Sequence, residues 1–132
     1  MERRTLSELG VRKRRQIAEL TEARDLTRQL SEALDRKDQI SVDMLLGMRE
    51  TPIRAMLEVD AGIKDYLAAL PEEEAARCTA LLEGEEPETD EERDFCEIVD
   101  RFLDGLEKLI EEDKRISLRL GGNRSFYKTF RE

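Results

Sequence analysis

The most constraining feature of this sequence is a long run of helix-favouring residues from Thr5 to about Lys37, which contains no proline and a single glycine, Gly10. Apolar residues recur in it at spacings of three, four and seven, the pattern of a helix that buries one narrow face. They are Leu6, Leu9, Ile17, Leu20, Ala23, Leu30 and Leu34. Such a helix would be roughly 50 Å long and cannot bury this stripe against itself. It must therefore pack along another long helix, in the same chain or in a second copy.

The middle of the chain, about 41–83, predicts further helices that are interrupted by prolines. Ser41 is expected to cap the first of them. At Pro52 this helix either kinks or restarts, because proline is harmless only in the first turn of a helix. Pro71 is expected to interrupt the helices in the same way. The short helix that follows it should end near Gly84.

A second long helix is predicted over 90–120, after a loop at 84–89 that combines glycine, proline and charge. Thr89 followed by Glu92 forms a capping box at its start. The apolar side chains of this helix make the cleanest stripe in the chain: Phe95, Val99, Phe102, Leu106, Leu109, Ile110, Ile116 and Leu120. Asp113 interrupts the row, which is typical of a position that sets the register or lies at the solvent edge.

The two long helices have matching lengths, and each carries a stripe that suits the other. We therefore expect them to pack antiparallel, with the middle helices alongside. The sequence predicts an all-α fold, an elongated antiparallel helical bundle with two long helices, shorter middle helices and coiled-coil-like packing in one domain, 1–132. Gly121 and Gly122 should end the last helix and leave an aromatic tail over 121–132.

The absence of histidine excludes several classes of enzyme. No Ser-His-Asp or Cys-His unit can form, and the Glu-x-x-His ligands of carboxylate-bridged metal sites in helical bundles are missing. The acidic stretch 85–94 does not match the spacing of a calcium-binding loop, and the sequence contains no glycine-rich phosphate loop. We expect a protein that is not an enzyme and binds neither a metal nor a cofactor.

The net charge of −9 argues against binding to nucleic acid, which requires cations to neutralise phosphates. The charge is distributed unevenly, since 71–113 is strongly acidic whereas 1–40 and 114–132 are basic. The acidic stretch is interpreted as a solvated face with a loop, or else as a site for a basic partner.

Two cysteines, Cys78 and Cys96, lie near apolar helical stripes and are not arranged as a redox or metal motif. Buried structural thiols in a reducing compartment are the interpretation that fits best. The amino terminus does not have the pattern of a signal peptide, and no apolar run approaches the ~20 residues that cross a bilayer. We expect a soluble cytoplasmic protein without membrane insertion.

Two groups of residues are candidates for binding a partner. The tail holds three of the six aromatic residues, Phe126, Tyr127 and Phe130. They either fold back over the end of the bundle or form a patch for a partner. Three methionines at helical spacing, Met44, Met48 and Met56, either line an adaptable groove or fill the core.

One part of the sequence resembles a known family. The run LTRQLSEALDRKD at 26–38 is followed by the Leu45-Leu46 pair, by Arg49 and by Ile53, and then by a long closing helix. This order and spacing resemble the bacterial flagellar export chaperones of the FlgN and FliT type, and the resemblance covers most of the chain.

The resemblance implies a cytoplasmic chaperone that binds the amphipathic terminal helices of hook-filament junction or cap subunits, prevents their premature assembly and delivers them to the export apparatus. It implies a binding site toward the last helix and the tail, which here corresponds to Phe102, Leu106, Leu109, Ile110, Ile116, Phe126, Tyr127 and Phe130. The same apolar stripe could equally form the seam within the chain. The alternative function is a self-associating coiled-coil protein with a structural or regulatory role and no secretion client, for which a homodimer is expected.

Overall fold

The computed structural model describes residues 3–121 and has four helices in that range. They are α1 (Arg3–Asp35), α2 (Gln39–Ala68), α3 (Glu72–Leu82) and α4 (Asp90–Arg119). α1 packs against both α2 and α4, while the backbones of α2 and α4 meet less closely. The prediction of an all-α helical bundle is confirmed.

The start of α2 is capped by Asp38 and not by the expected Ser41. The Asp38 carboxylate accepts hydrogen bonds from the Ser41 backbone N–H at 3.1 Å and from the Ser41 hydroxyl at 2.6 Å. These bonds hold the pKa of Asp38 below its usual value, because they stabilise the ionised carboxylate. Both residue types favour this position, so the sequence located the start of the helix but assigned the wrong cap.

α2 runs without a break through Pro52, which lies buried inside it. The prediction of shorter middle helices therefore holds for α3 and is wrong for α2, whose 30 residues equal those of α4. A proline inside a helix removes one backbone hydrogen bond and clashes with the preceding turn. The packing of α2 along the length of the bundle offsets that local cost. Helix propensity alone does not include this packing energy.

α1 and α4 run parallel, so the expectation that they pack antiparallel is wrong. Salt bridges between them join residues 84 or 88 positions apart along their whole length: Arg3 with Glu91 at 2.9 Å, Arg24 with Glu112 at 3.0 Å, and Asp35 with Arg119 at 2.9 Å. The direction follows from the length of α2. Because α2 is about 45 Å long, it returns the chain to the end where α1 began, and α4 must then run in the direction of α1.

The core of the described residues forms three apolar clusters along the bundle. At the end that holds α3, Leu6 and Leu9 pack with Cys78, Leu81 and Phe95. The middle cluster is Leu20, Ala23, Met56, Phe102 and Leu109. At the end that holds the α1–α2 turn the cluster is Leu26, Leu30, Ala33, Val42, Leu45 and Ile116. We call the two parts of the bundle on either side of the middle cluster the α3 half and the turn half.

The connection from α3 to α4 follows the sequence prediction. α3 ends at Leu82, and Gly84 takes a φ of 103°, which favours glycine. The Thr89 hydroxyl accepts a hydrogen bond from the backbone N–H of Glu92 at 3.1 Å. The Glu92 carboxylate accepts one from the N–H of Glu88 at 2.9 Å, one residue before the position that a full capping box would use.

Candidate functional site

The α4 stripe that the sequence offered as a binding surface lies inside the bundle. Phe102, Leu109, Ile110 and Ile116 are buried, and Leu106 is half-buried against the middle cluster. Of the two roles left open, the structure shows the seam within the chain. The other predicted binding residues, Phe126, Tyr127 and Phe130, lie outside the described residues.

The exposed apolar side chains lie elsewhere, and chiefly in the turn half. Ile40, Met44 and Met48 follow one another every fourth residue on α2, with exposed fractions of 85%, 58% and 48%. We call these three residues the α2 stripe. Leu118 on α4 is 80% exposed in the same half of the bundle. The three methionines that the sequence singled out therefore have different roles. Met56 fills the core, and Met44 and Met48 lie at the surface.

A groove of about 550 Å³ runs between α1 and α4 in the turn half. Thr27, Arg28 and Ser31 of α1 line one side, and α4 contributes Arg115, Ile116 and Leu118. We call this the α1–α4 groove. Arg119 and Glu112 also line it, so three guanidinium groups and one carboxylate surround a floor that is partly apolar.

An ion pair is buried between α2 and α4 in the turn half. Arg49 donates a hydrogen bond to the Asp113 carboxylate at 2.9 Å, and the two side chains are 5% and 0% exposed. Asp113 is therefore not at the solvent edge. The pair joins α4 to α2 in a register that places the Arg49 guanidinium opposite this carboxylate.

A second polar group is buried between α1 and α2. The Lys13 ammonium donates to the Gln16 side-chain oxygen at 2.6 Å and lies 3.7 Å from the centre of the Phe102 ring. The Gln16 amide in turn donates to Asp60 at 2.7 Å and to the Met56 carbonyl at 2.9 Å. Burial lowers the pKa of Lys13 to about 8, against the attraction of Asp60. These contacts hold three helices together and expose no reactive group to solvent.

The interior of the α3 half is packed with apolar side chains, and charged side chains lie around it. Arg77 donates two hydrogen bonds to Glu92, at 2.6 and 3.2 Å, and these hold the pKa of Glu92 below its usual value. A groove there is lined by both signs of charge, including Arg3, Arg14 and Asp94. Part of the acidic stretch is thus matched within the chain, because parallel packing places the start of α4 beside the basic start of α1.

The two cysteines are not candidates for chemistry. Neither forms a disulfide within residues 3–121, and Cys78 is buried, as expected for a structural thiol. Burial raises the pKa of the Cys78 thiol to about 11, with a further contribution from Glu74 and Glu92. Cys96 is half-buried, and burial raises the pKa of its thiol as well. A thiol that stays protonated at neutral pH is a poor nucleophile.

The comparisons with known proteins find no counterpart: no family model, no curated protein and no solved structure matches this chain. Within residues 3–121, no helix is both long enough and apolar enough to span a membrane. In the same range, no three histidine, cysteine or acidic residues come together as metal ligands would.

Proposed function

We propose that this chain is a chaperone of the flagellar export type, and that its turn half binds an amphipathic helix of a hook-filament junction or cap subunit. The observation that carries the proposal is the position of the exposed apolar side chains. Of the six large ones among the described residues, four lie in the turn half: Ile40, Met44, Met48 and Leu118. The other two, Val11 and Leu103, stand singly on other parts of the surface.

The α2 stripe has the geometry that a partner helix requires. Side chains every fourth residue lie in one row along a helix, and a partner helix in turn offers apolar residues at spacings of three and four. Methionine adapts its shape to different partners, which suits a surface that receives more than one subunit. Because the three core clusters are complete within the chain, the stripe is not needed to close the bundle.

The proposal moves the contact surface away from the α4 stripe. The buried residues Phe102, Leu109, Ile110 and Ile116 support the bundle from inside, and binding through them would require the seam to open. The role of Phe126, Tyr127 and Phe130 remains a prediction.

The test is calorimetric titration of the full chain with purified junction and cap subunits encoded in the same genome. We expect the wild type to bind at least one subunit and the double variant Ile40→Glu/Met44→Glu to bind it at least tenfold more weakly, about 1.4 kcal/mol. Val11→Glu/Leu103→Glu is the matched control, because it adds the same two negative charges at exposed apolar positions outside the turn half, and it should change the Kd less than twofold.

Circular dichroism of each variant checks that the helices persist. If the wild type binds no subunit, the proposal is wrong. If it also sediments as a tight dimer that the Ile40→Glu/Met44→Glu variant abolishes, the self-associating alternative is supported instead.

A further inference from the structure

The α1–α4 groove lies between two salt bridges that connect its walls. The Arg24–Glu112 bridge crosses from α1 to α4 on one side of it, and the Asp35–Arg119 bridge crosses on the other. Between them the floor is formed by Thr27, Ser31 and Ile116, and Leu118 stands exposed at the edge. The groove is therefore bounded by a salt bridge on each side.

The walls of the α1–α4 groove carry more cations than anions. Arg28 of α1 and Arg115 and Arg119 of α4 line it, and Glu112 is the one carboxylate among these lining residues and already pairs with Arg24. Arg28 and Arg115 are 87 positions apart, and the salt bridges across the seam have offsets of 84 and 88, so the two arginines lie at a similar height along the bundle. An excess of like charge on neighbouring elements is unfavourable.

Two features indicate what would balance these cations. Arginine binds a carboxylate through two parallel hydrogen bonds, and Arg28, whose side chain is 66% exposed, forms its ion pair within residues 3–121 at the surface, with Asp25 of its own helix. The exposed Leu118 beside the arginines offers an apolar contact that an amphipathic segment can use and a free anion cannot. The chain's net charge of −9 also repels a polyanion such as nucleic acid, whereas a short acidic segment needs to meet only the local field.

We propose that the α1–α4 groove binds an acidic amphipathic helix of a partner protein, with a carboxylate between Arg28 and Arg115 and an apolar side chain over Ile116 and Leu118. The inference rests on the proposed function and deepens it. The α2 stripe provides apolar contact without regard to charge, and the α1–α4 groove selects partner helices whose polar face is acidic.

The test uses two labelled 18-residue helical peptides that share one leucine face. One carries Glu at its polar positions and the other carries Lys at the same positions, and fluorescence anisotropy gives the Kd of each with the full chain. We expect the Glu peptide to bind the wild type at least tenfold more tightly than the Lys peptide. Arg115→Glu should weaken the Glu peptide at least tenfold, while Arg101→Glu, at an exposed position of the same helix, should change its Kd less than twofold.

Reversal of the charges separates a binding role from a structural one. The double variant Arg28→Glu/Arg115→Glu should prefer the Lys peptide, which a merely destabilised bundle would not do. The inference is wrong if the wild type does not bind the Glu peptide, if Arg115→Glu and Arg101→Glu act alike, or if inorganic phosphate at millimolar concentration displaces the peptide. If Arg115→Glu leaves the binding of junction and cap subunits unchanged while Ile40→Glu/Met44→Glu abolishes it, the groove inference fails and the proposed function stands.

Discussion

The two halves of the bundle differ in which side chains they leave at the surface. In the α3 half, Leu81 and Phe95 are buried, and the ion pair of Arg77 with Glu92 is partly open to solvent, because the Arg77 side chain is 23% exposed. In the turn half, the ion pair of Arg49 with Asp113 is inside, whereas the α2 stripe and Leu118 are outside. The α3 half has the arrangement that favours stability. The turn half departs from it because its ion pair is buried and its apolar side chains are exposed.

The difference shows where the molecule gives up stability for another purpose. Replacing a buried ion pair by packed apolar residues is often neutral or stabilising, so such a pair is weak evidence for stability and better evidence for a fixed register. Exposed apolar side chains that stand together indicate a contact surface. We therefore place binding in the turn half and stability in the α3 half, and each prediction below tests that division.

The largest effect is expected from Asp113→Ala in the turn half. It leaves the Arg49 guanidinium buried opposite an apolar methyl group, and we expect the free energy of unfolding to fall by about 3–5 kcal/mol. Urea denaturation followed by circular dichroism measures the change. The double variant Arg49→Met/Asp113→Leu should be at least as stable as the wild type. A double variant as unstable as the single one would contradict the view that the pair serves register rather than stability.

The second prediction compares the loss of stability when one apolar residue is truncated in each half. Leu81 of α3 is fully buried, so Leu81→Ala should lower the free energy of unfolding by about 2–5 kcal/mol. Met44→Ala in the α2 stripe should change it by less than about 0.5 kcal/mol. Thermal and urea denaturation of the two variants, measured in parallel, test this prediction. Equal losses of stability would contradict the assignment of stability to the α3 half.

The buried ammonium of Lys13 predicts a rise in stability at alkaline pH. Its pKa is about 8 in the folded chain, below the ordinary value of 10.5 that it regains on unfolding. Between these values the unfolded chain binds more protons at this side chain, so Lys13 contributes an increase of roughly 3 kcal/mol in the free energy of unfolding as the pH rises. The raised pKa of Cys78 acts in the opposite direction, and it does so equally in a variant that lacks only Lys13. The control is Lys13→Met, whose stability should lack this component. Parallel pH curves for the two proteins would contradict it.

The smallest effect is expected at the edge of the α3 half on acidification. Hydrogen bonds from Arg77 lower the pKa of Glu92 in the folded chain below its ordinary value of 4.5. The resulting stabilisation is present above pH 4.5 and is lost as the pH falls through the lower, folded pKa. Glu92→Gln should therefore reduce the acid dependence of urea unfolding between pH 5 and 2. Arg93→Gln, at an exposed pair on the same helix, should leave that dependence unchanged.

Sequence patterns predicted the fold class and the start of α4, because both depend on local rules. The spacing of apolar residues in α1 and α4 requires long amphipathic helices, and Thr89 caps α4 as expected. The sequence patterns did not predict the continuity of α2 or the parallel direction of α1 and α4, and both failures have the same cause. Pro52 is a local signal for interruption, and only the packing of the whole helix overrides it.

The candidate site was less accessible to sequence reasoning. Met44, Met48 and Met56 share a residue type and a spacing of multiples of four, yet two are exposed and one is fully buried. Their environments differ because each residue turns the helix by about 100°, so that Met48 lies about 40° and Met56 about 120° around α2 from Met44. Asp113 was noticed as a break in an apolar row, but its partner Arg49 lies 64 positions away in the sequence.

The parallel course of α1 and α4 also decides how the molecule would respond to force. Because the two helices run in one direction, the start of α1 and the end of α4 lie at opposite ends of a bundle about 45 Å long. Tension applied between Arg3 and Arg119 would load the α1–α4 seam in shear. The salt bridges across it would then have to yield together, whereas peeling α3 from its end would break its contacts one after another.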